Sequence, residues 1–222
     1  MQQILDDIRN GKMVILVDDE SRENEGDLVI AAEQATPEAI NFMSLYGRGL
    51  ICLPMMENDF ERLGIPMMAK HNRSRHQTAF GVAIEAAQGV STGISAHDRA
   101  HTIKTAISDS STLEDIIMPG HVFPLRARNG GVLVRAGHTE AAVDISRLAG
   151  LKPAGVICEI MKADGTMARL PDLIEIAKTH KMKIGTISDL IAYRHKHDNL
   201  VQEVSQRDVT SAYGGDWKMR VF

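Results

Sequence analysis

Six carboxylates lie within the ten residues from Asp18 to Asp27, directly after the apolar run Met13-Val14-Ile15-Leu16-Val17. The apolar run predicts a buried strand, and α/β proteins place their chemistry at strand ends. Crowded carboxylates repel one another, so the pattern indicates either a divalent cation with oxygen ligands or a solvated charged loop. The acids are Asp18, Asp19, Glu20, Glu23, Glu25 and Asp27, with Arg22 among them.

A second segment whose residues could take part in chemistry is Arg135-Ala136-Gly137-His138-Thr139. Its pattern predicts a strand–turn–helix junction. A helix N-terminus presents free N–H groups and a partial positive charge, and an arginine can add a bidentate contact. The segment therefore predicts a phosphate site. The alternative is an ordinary turn in which Thr139 caps the helix, because the GK[ST] ending of a P-loop is missing.

Two further residues are candidates for proton transfer. His121 lies between a predicted turn and a strand, and Glu159 lies inside the otherwise apolar run 156–161. A buried carboxylate needs a partner or a raised pKa, which makes it a candidate general acid or base. The alternatives are a structural histidine at 121 and a strand that is exposed at Glu159. His97 and His101, four residues apart, are more typical of a solvated helix face.

Composition excludes several classes of protein. The 222 residues carry a net charge of −4 and only 4% aromatic residues, so no nucleic-acid partner is expected. The sequence has 44% hydrophobic residues but no apolar stretch that would span a membrane. The two cysteines, Cys52 and Cys158, lie in apolar runs and suit a reducing cytoplasm.

Hydrophobic periodicity and turn residues predict alternating strands and helices, and therefore an α/β architecture with at least partly parallel strands. The predicted strands are 13–17, 28–32, 50–53, 80–84, 122–125, 132–135, 156–161 and 184–187. The predicted helices are 4–10, 37–45, 98–108, 111–116, 140–148, 171–180 and 189–195. Residues 55–76 have no regular pattern.

Several blocks together resemble the 3,4-dihydroxy-2-butanone 4-phosphate synthases of riboflavin biosynthesis, over about residues 4–194. The blocks are Asp19-Glu20-Ser21-Arg22-Glu23-Asn24-Glu25-Gly26-Asp27, Asp98-Arg99 with Thr102, Pro119-Gly120-His121-Val122-Phe123-Pro124-Leu125-Arg126, Gly130 to Ala141, Pro153 to Glu159, and Asp164-Gly165-Thr166-Met167-Ala168-Arg169. The resemblance implies a single α/β (α+β) domain, with a mixed β-sheet surrounded by helices in a layered sandwich.

The resemblance also implies a reaction. D-ribulose 5-phosphate would give 3,4-dihydroxy-2-butanone 4-phosphate and formate through a metal-stabilised enediol and a skeletal rearrangement. The expected cofactor is Mg²⁺ or Mn²⁺, two per site, in a cytoplasmic homodimer with active sites at the interface. Glu23 and His138 would be the metal ligands, and His121 and Glu159 the catalytic groups. The implied substrate-binding residues are Arg22, Glu23, Asp27, Arg135, Ala136, Gly137, His138, Thr139 and Glu159.

Two features depart from the family pattern. Gly81 stands where the family often has threonine. Residues 1–197 are expected to form the synthase domain, whereas the tail 198–222 resembles the start of a GTP cyclohydrolase II domain, as in fused bifunctional proteins. Two alternatives to the synthase remain: another metal-dependent sugar-phosphate isomerase or aldolase, and a metal- and phosphate-binding regulator without activity.

Overall fold

The computed structural model describes residues 1–198 and 203–222. The first residues of the tail motif, Asn199-Leu200-Val201, lie outside the described residues. The described chain divides into two compact units, Met1–Ile191 and Ala192–Phe222.

The order of elements confirms an α/β protein. The helices are α1 (Gln2–Arg9), α2 (Pro37–Phe42), α3 (Glu57–Arg62), α4 (Ala96–Ala106), α5 (His138–Leu148), α6 (Leu170–His180) and α7 (Ile187–His197). The strands are β1 (Val14–Val17), β2 (Gly26–Ala31), β3 (Cys52–Met55), β4 (Ile84–Ala86), β5 (Ile116–Arg126), β6 (Gly155–Glu159), β7 (Ile184–Thr186), β8 (Ser205–Ser211) and β9 (Gly215–Val221).

Seven strands form one mixed sheet in the order β4-β5-β3-β6-β2-β1-β7. The pairs β1/β7 and β3/β5 are parallel, and the other four neighbouring pairs are antiparallel. The predicted mixed sheet is therefore confirmed. Its centre is β6-β2-β1, in which β2 is paired on both edges, so the residues at the ends of these strands meet at one place.

The centre of the sheet is covered on both faces. Every residue of β1, β2 and β3 is buried, as expected for strands with packing partners on each side. Helix α5 packs against β2, β3 and β6, and it also contacts α1. Helix α4 packs against β4, β5 and α2. This packing fixes the N-terminus of α5 beside the ends of β1 and β2.

The predicted strand at 132–135 is wrong. Residues Gly131–Leu133 form a short 3-10 helix, and Gly130 and Gly131 have φ angles of +94° and +62°. The Val132 N–H donates to the Asp144 carboxylate at 2.8 Å, so a contact with α5 takes the group that would have paired in a sheet. Of the apolar residues in this turn, Val132 is buried, whereas Val134 is 62% exposed.

Other boundaries also differ from the prediction. The helix predicted after Thr36 continues beyond Phe42 as a π-helical segment, Met43–Gly47. In the predicted strand 80–84, Phe80 and Gly81 form only isolated bridges, and regular pairing begins at Ile84. The segment 55–76, for which no pattern was found, contains helix α3.

The second unit contains an antiparallel pair, β8 and β9, which the sequence pattern did not predict. One face of this pair carries Val209, Trp217, Met219 and Val221, all of them partly exposed. Across the described ranges, 1–198 and 203–222, no helix has the length and apolarity needed to cross a membrane.

Candidate active site

The acidic loop connects two adjacent strands at the centre of the sheet. Strand β1 ends at Val17 and β2 begins at Gly26, so the loop residues Asp18 to Glu25 lie at one end of this pair. Asp27 stands between Leu16 on β1 and Glu159 on β6 in the strand register. The register thus brings two carboxylates that are distant in sequence to the same sheet end.

Glu23 and His138 face each other across this end of the sheet. His138 is the first residue of α5, and its Nδ1 is 3.8 Å from Glu23 Oε2. Its Nε2 is 3.2 Å from the Leu16 carbonyl oxygen, which leaves Nδ1 as the nitrogen directed at the carboxylates. Asp18, Glu23 and His138 offer ligand atoms that all lie within 4.8 Å of one another.

Asp18 stabilises the conformation of the acidic loop. Its carboxylate accepts hydrogen bonds from the backbone N–H groups of Glu23 and Glu25, at 3.1 and 2.9 Å. It also accepts one from Arg22 Nη1 at 2.8 Å, and its side chain is 0% exposed. Because its oxygens are already engaged, Asp18 is a structural group of the loop, whereas Glu23 and His138 remain directed at the cleft.

The charges at this place shift the pKa values strongly. Burial opposes ionisation of Glu23, but His138 and Arg22 outweigh it and lower its pKa to about 2. Burial also opposes the imidazolium of His138, but the charges of Asp27 and Glu23 raise its pKa to about 9. The pair is therefore a carboxylate and an imidazolium at neutral pH.

Asp27 is a buried carboxylate with an unsatisfied oxygen. Among the described residues its Oδ1 has no hydrogen-bond partner, and it lies 4.0 Å from His138 Nδ1. Burial raises the Asp27 pKa to about 7, and the charges of Glu159 and Glu23 act in the same direction, while His138 opposes them. An orphaned carboxylate oxygen beside Glu23 and an imidazole forms a donor set that fits a divalent cation such as Mg²⁺ or Mn²⁺.

Two guanidinium groups converge over the start of α5. A Cβ placed on Gly137 would lie 2.4 Å from Arg135 Nη1 and 2.9 Å from Arg22 Nη2, so only glycine leaves room for both. Arg135 also donates to Glu140 Oε2 at 2.6 Å and to Thr78 Oγ1 at 3.0 Å. Gly137 is the N-cap residue of α5, an eleven-residue helix. Two fixed cations beside free helix N–H groups make a cradle for a dianion.

These groups open into one cleft of about 160 Å³. Glu23, Glu25, Asp27 and Glu159 give it an acidic side, and Arg22, Arg135 and His138 give it a basic side. Thr139 and Cys52 also line it. Of the predicted phosphate segment, Ala136 is exposed and is not among the lining residues.

Glu159, predicted as a candidate acid or base, is half-buried at the end of β6. Its Oε2 accepts a hydrogen bond from the Leu50 N–H at 2.8 Å. A Cβ on Gly49 would lie 2.5 Å from that same oxygen, so the backbone approaches this carboxylate closely. The carboxylate is thus held at the cleft, on the acidic side.

His121 is the one predicted catalytic residue that this chain does not bring to the cleft. It lies on β5, and its side chain is 43% exposed. Its Nδ1 is 2.5 Å from Oε2 of Glu85, a residue that the sequence analysis missed. Glu85 is buried, lies opposite exposed Ile117 in the strand register, and approaches Gly93, the neighbour of exposed Ile94.

A family model for 3,4-dihydroxy-2-butanone 4-phosphate synthase matches residues 2–193. The chain belongs to this family. A curated relative of that name from Photobacterium phosphoreum is 55% identical over 213 residues, which are 96% of this chain and 59% of the relative. The chain therefore spans about three fifths of the length of the curated relatives that it matches.

Two solved structures of family members are similar to this chain. A two-domain synthase from A. baumannii has a TM-score of 0.88 and 50% identity, and the match covers 99% of this chain and 64% of that protein. A synthase solved in complex with two magnesium ions has a TM-score of 0.85 and 39% identity, covering 90% of this chain and 98% of that one.

Gly81, which the sequence analysis singled out as a departure from the resemblance, is tightly packed in this chain. A Cβ at this position would lie 2.6 Å from Phe60, 2.9 Å from Ile65 and 3.1 Å from Pro124. A threonine would therefore require these neighbours to move. In this chain the side chains of these neighbours pack directly against the glycine.

Proposed function

We propose that this chain converts D-ribulose 5-phosphate into 3,4-dihydroxy-2-butanone 4-phosphate and formate, as a step of riboflavin biosynthesis. One observation carries the proposal: a cation-type donor set and a phosphate-type cradle open into the same cleft. Arg22 links them, because its guanidinium bonds Asp18 and Glu23 and also lies beside Gly137. A sugar phosphate is a ligand with a dianion at one end and chelating hydroxyl groups at the other.

The cleft would orient the substrate by its charge. The phosphate would bind Arg135, Arg22 and the first N–H groups of α5, and the ketose oxygens would then point to Glu23, His138 and Asp27. Arg135 is held in advance by Glu140, whose side chain is 1% exposed, so little conformational freedom is lost on binding. Fixing both ends of a short sugar lowers the entropic cost of the reaction.

The chemistry needs groups that move protons at carbon and oxygen. Formation of an enediol removes a carbon-bound proton, and a base with a pKa near the working pH is best for this. Two carboxylates, Asp27 and its register partner Glu159 on β6, lie at this end of the sheet, where such a base is needed. We assign proton transfer to this end of the sheet, with Glu159 as the essential carboxylate.

A divalent cation held by Glu23 and His138, Mg²⁺ or Mn²⁺, would polarise the oxygen atoms of the ketose. We propose two ions per site that share Glu23 as a ligand, with substrate and water oxygens completing their coordination. The relative solved with two magnesium ions is consistent with that count.

We further propose a homodimer in which His121 acts in the cleft of the second copy. Its ring is exposed and held at Nδ1 by Glu85, and Ile117, opposite Glu85 in the strand register, and Ile94 are 49% and 54% exposed. An apolar patch around an oriented imidazole suits an interface that also completes a site. The dimer would bring to the cleft the catalytic histidine that one chain alone leaves outside it.

Mixing two inactive variants tests the dimer directly. His121→Ala and Glu23→Gln chains, unfolded and refolded together, should recover about a quarter of the wild-type activity, since half of the dimers are mixed and each has one intact site. Each variant refolded alone is the control. No recovery on mixing would mean that His121 and Glu23 act in the same chain, or not at all.

Formate release from D-ribulose 5-phosphate tests the activity itself. The full chain with Mg²⁺ should release formate and the four-carbon phosphate in equal amounts, and EDTA should stop both. An isomerase would convert the sugar without formate, an aldolase would give two smaller carbonyl products, and a regulator would bind the sugar phosphate unchanged. Each of those results would overturn the proposal.

Three further assignments belong to this proposal. Residues 1–197 would be the synthase domain, and 198–222 a tail that resembles the start of a GTP cyclohydrolase II domain. The division of the described chain near Ile191 supports a boundary in this region. Truncation after Lys196 should leave the specific activity within about threefold of the full chain. The two buried free thiols are consistent with a cytoplasmic enzyme.

A further inference from the structure

The acidic loop must be held against the repulsion of its own charges. Asp18 stabilises it from within, but Asp18 is itself a carboxylate and adds to the negative charge. Asn24, next to Glu23, has a φ angle of +54°, a conformation that costs energy for a residue with a side chain. Arg22 pairs with Asp18 and Glu23 and offsets part of this charge, and a donor from outside the loop would further hold its backbone.

Arg169 supplies that donor from a distant part of the chain. Its Nη1 donates to the Glu23 carbonyl oxygen at 3.0 Å and to the Asn24 carbonyl oxygen. The two acceptors are consecutive carbonyl groups, one before and one after the Asn24 Cα. One guanidinium group therefore fixes the Glu23–Asn24 peptide, which adjoins the Glu23 side chain. This contact crosses 146 positions of sequence.

Arg169 is itself held rigidly. Its backbone N–H donates to the Asp172 carboxylate at 3.0 Å, where α6 begins. The preceding residue, Ala168, is fully buried, and its N–H donates to the Ile160 carbonyl oxygen at 2.9 Å. On the other side, Leu173 packs against Gly26 at the start of β2. The start of α6 is therefore a rigid support beside the acidic loop.

We propose that Arg169 is a positioning residue that fixes the Glu23 peptide and so keeps the Glu23 carboxylate directed at His138. It acts through the backbone of Glu23 and does not line the cleft. Groups that orient a metal ligand typically contribute about 10–100-fold to metal affinity. The inference rests on the proposed cation site, but not on the identity of the substrate.

The test is Mn²⁺ binding by the full chain, measured by titration calorimetry and by the electron paramagnetic resonance of free Mn²⁺. Arg169→Gln should weaken Mn²⁺ binding about tenfold or more. Arg169→Lys keeps the charge but not the planar fork, so its Mn²⁺ affinity should lie between those of Arg169→Gln and the wild type. The matched control is Arg62→Gln. Arg62 also donates to backbone carbonyl groups, those of Ala106, Ser108 and Ser111, but lies on α3, away from the cleft.

Arg62→Gln should lower the melting temperature without changing Mn²⁺ affinity, which separates positioning from general stability. The proposal is overturned if the folded Arg169→Gln variant binds Mn²⁺ with an affinity within about twofold of wild type. If Arg169→Gln does not fold, the same criterion applies to Arg169→Lys. Absence of Mn²⁺ binding by the unchanged chain would overturn it as well. Because no sugar is used, a wild-type chain that binds Mn²⁺ but releases no formate would refute the proposed function and leave this inference standing.

Discussion

The protonation state of His138 should control metal affinity. Its pKa is raised to about 9, because the charges of Asp27 and Glu23 outweigh the effect of burial. A metal ligand must be a neutral imidazole, so a cation has to displace the proton from Nδ1 at neutral pH. Affinity for Mn²⁺ should therefore rise with pH until the imidazole is neutral in the metal-free protein.

The size of the effect follows from the pKa. At pH 7 the imidazole lies two pH units below a pKa of about 9, so the proton competes about 100-fold against the cation, or about 2.7 kcal/mol. The apparent affinity should then increase about ninefold from pH 7 to 8 and about fivefold from pH 8 to 9, and level off above that. Glu23, with a pKa of about 2, is ionised throughout and adds no slope. Asp27, with a pKa of about 7, adds slope only near and below pH 7.

Titration calorimetry in buffers of different ionisation enthalpy measures both quantities. At pH 7.75, Mn²⁺ binding should release about one proton, and the affinity should be higher at pH 8.75 than at pH 7.75 by about sevenfold. His101→Gln is the control, because His101 is exposed on α4 and its ring nitrogen Nε2 lies 3.0 Å from the Gln88 carbonyl oxygen. That variant should keep both the slope and the proton release.

A flat affinity between pH 7.75 and 8.75, or binding without proton release, would refute the reasoning about His138. The stability of the metal-free protein gives an independent check of the sign. A histidine whose folded pKa is raised stabilises the fold fully below its unfolded pKa of about 6.5, and this contribution is lost as pH rises through about 9. The melting temperature without metal should accordingly fall over that range.

Three substitutions extend these predictions. Arg135→Lys keeps a charge near Glu140 but loses the planar fork, so KM for the sugar phosphate should rise about tenfold while kcat changes less than about threefold in a formate assay. Glu159→Gln should leave a folded protein by circular dichroism, with kcat reduced about 100-fold or more, since an amide cannot take up a proton. Gly26→Ala puts a Cβ 2.4 Å from Leu173 Cδ1 and should lower the free energy of unfolding in urea by about 1–3 kcal/mol, less when combined with Leu173→Val.

Local patterns predicted the groups that face the cleft. The run 13–17 and the acids after it predicted both β1 and a charged loop at its end, because burial and charge crowding are visible in consecutive residues. The segment 135–139 predicts a turn that leads into a helix at Glu140, and the helix begins two residues earlier, at His138, with Gly137 as its N-cap residue. These signals need no knowledge of the rest of the chain.

Patterns failed where a tertiary contact decides the local conformation. Residues 132–135 have the composition of a strand, but Val132 donates to Asp144, and Gly131 leaves no space for a Cβ beside the same carboxylate. The strands of the second unit are rich in polar and charged residues, so hydrophobic alternation gave no prediction there. In both cases the local stretch of sequence contains only one of the two partners whose contact decides the conformation.

The same limit separates the residues that perform chemistry from those that hold them. Glu23, His138 and Arg135 are visible in the sequence as types suited to a metal and a phosphate. Their supports, Asp18 for the loop and Glu140 for Arg135, are neighbours in sequence, whereas Arg169 reaches Glu23 across 146 positions. Since a cation site requires its ligands at fixed distances, its affinity is a property of three segments that meet: the acidic loop, the start of α5 and the start of α6. A change at the last of these should therefore alter metal binding without touching a ligand.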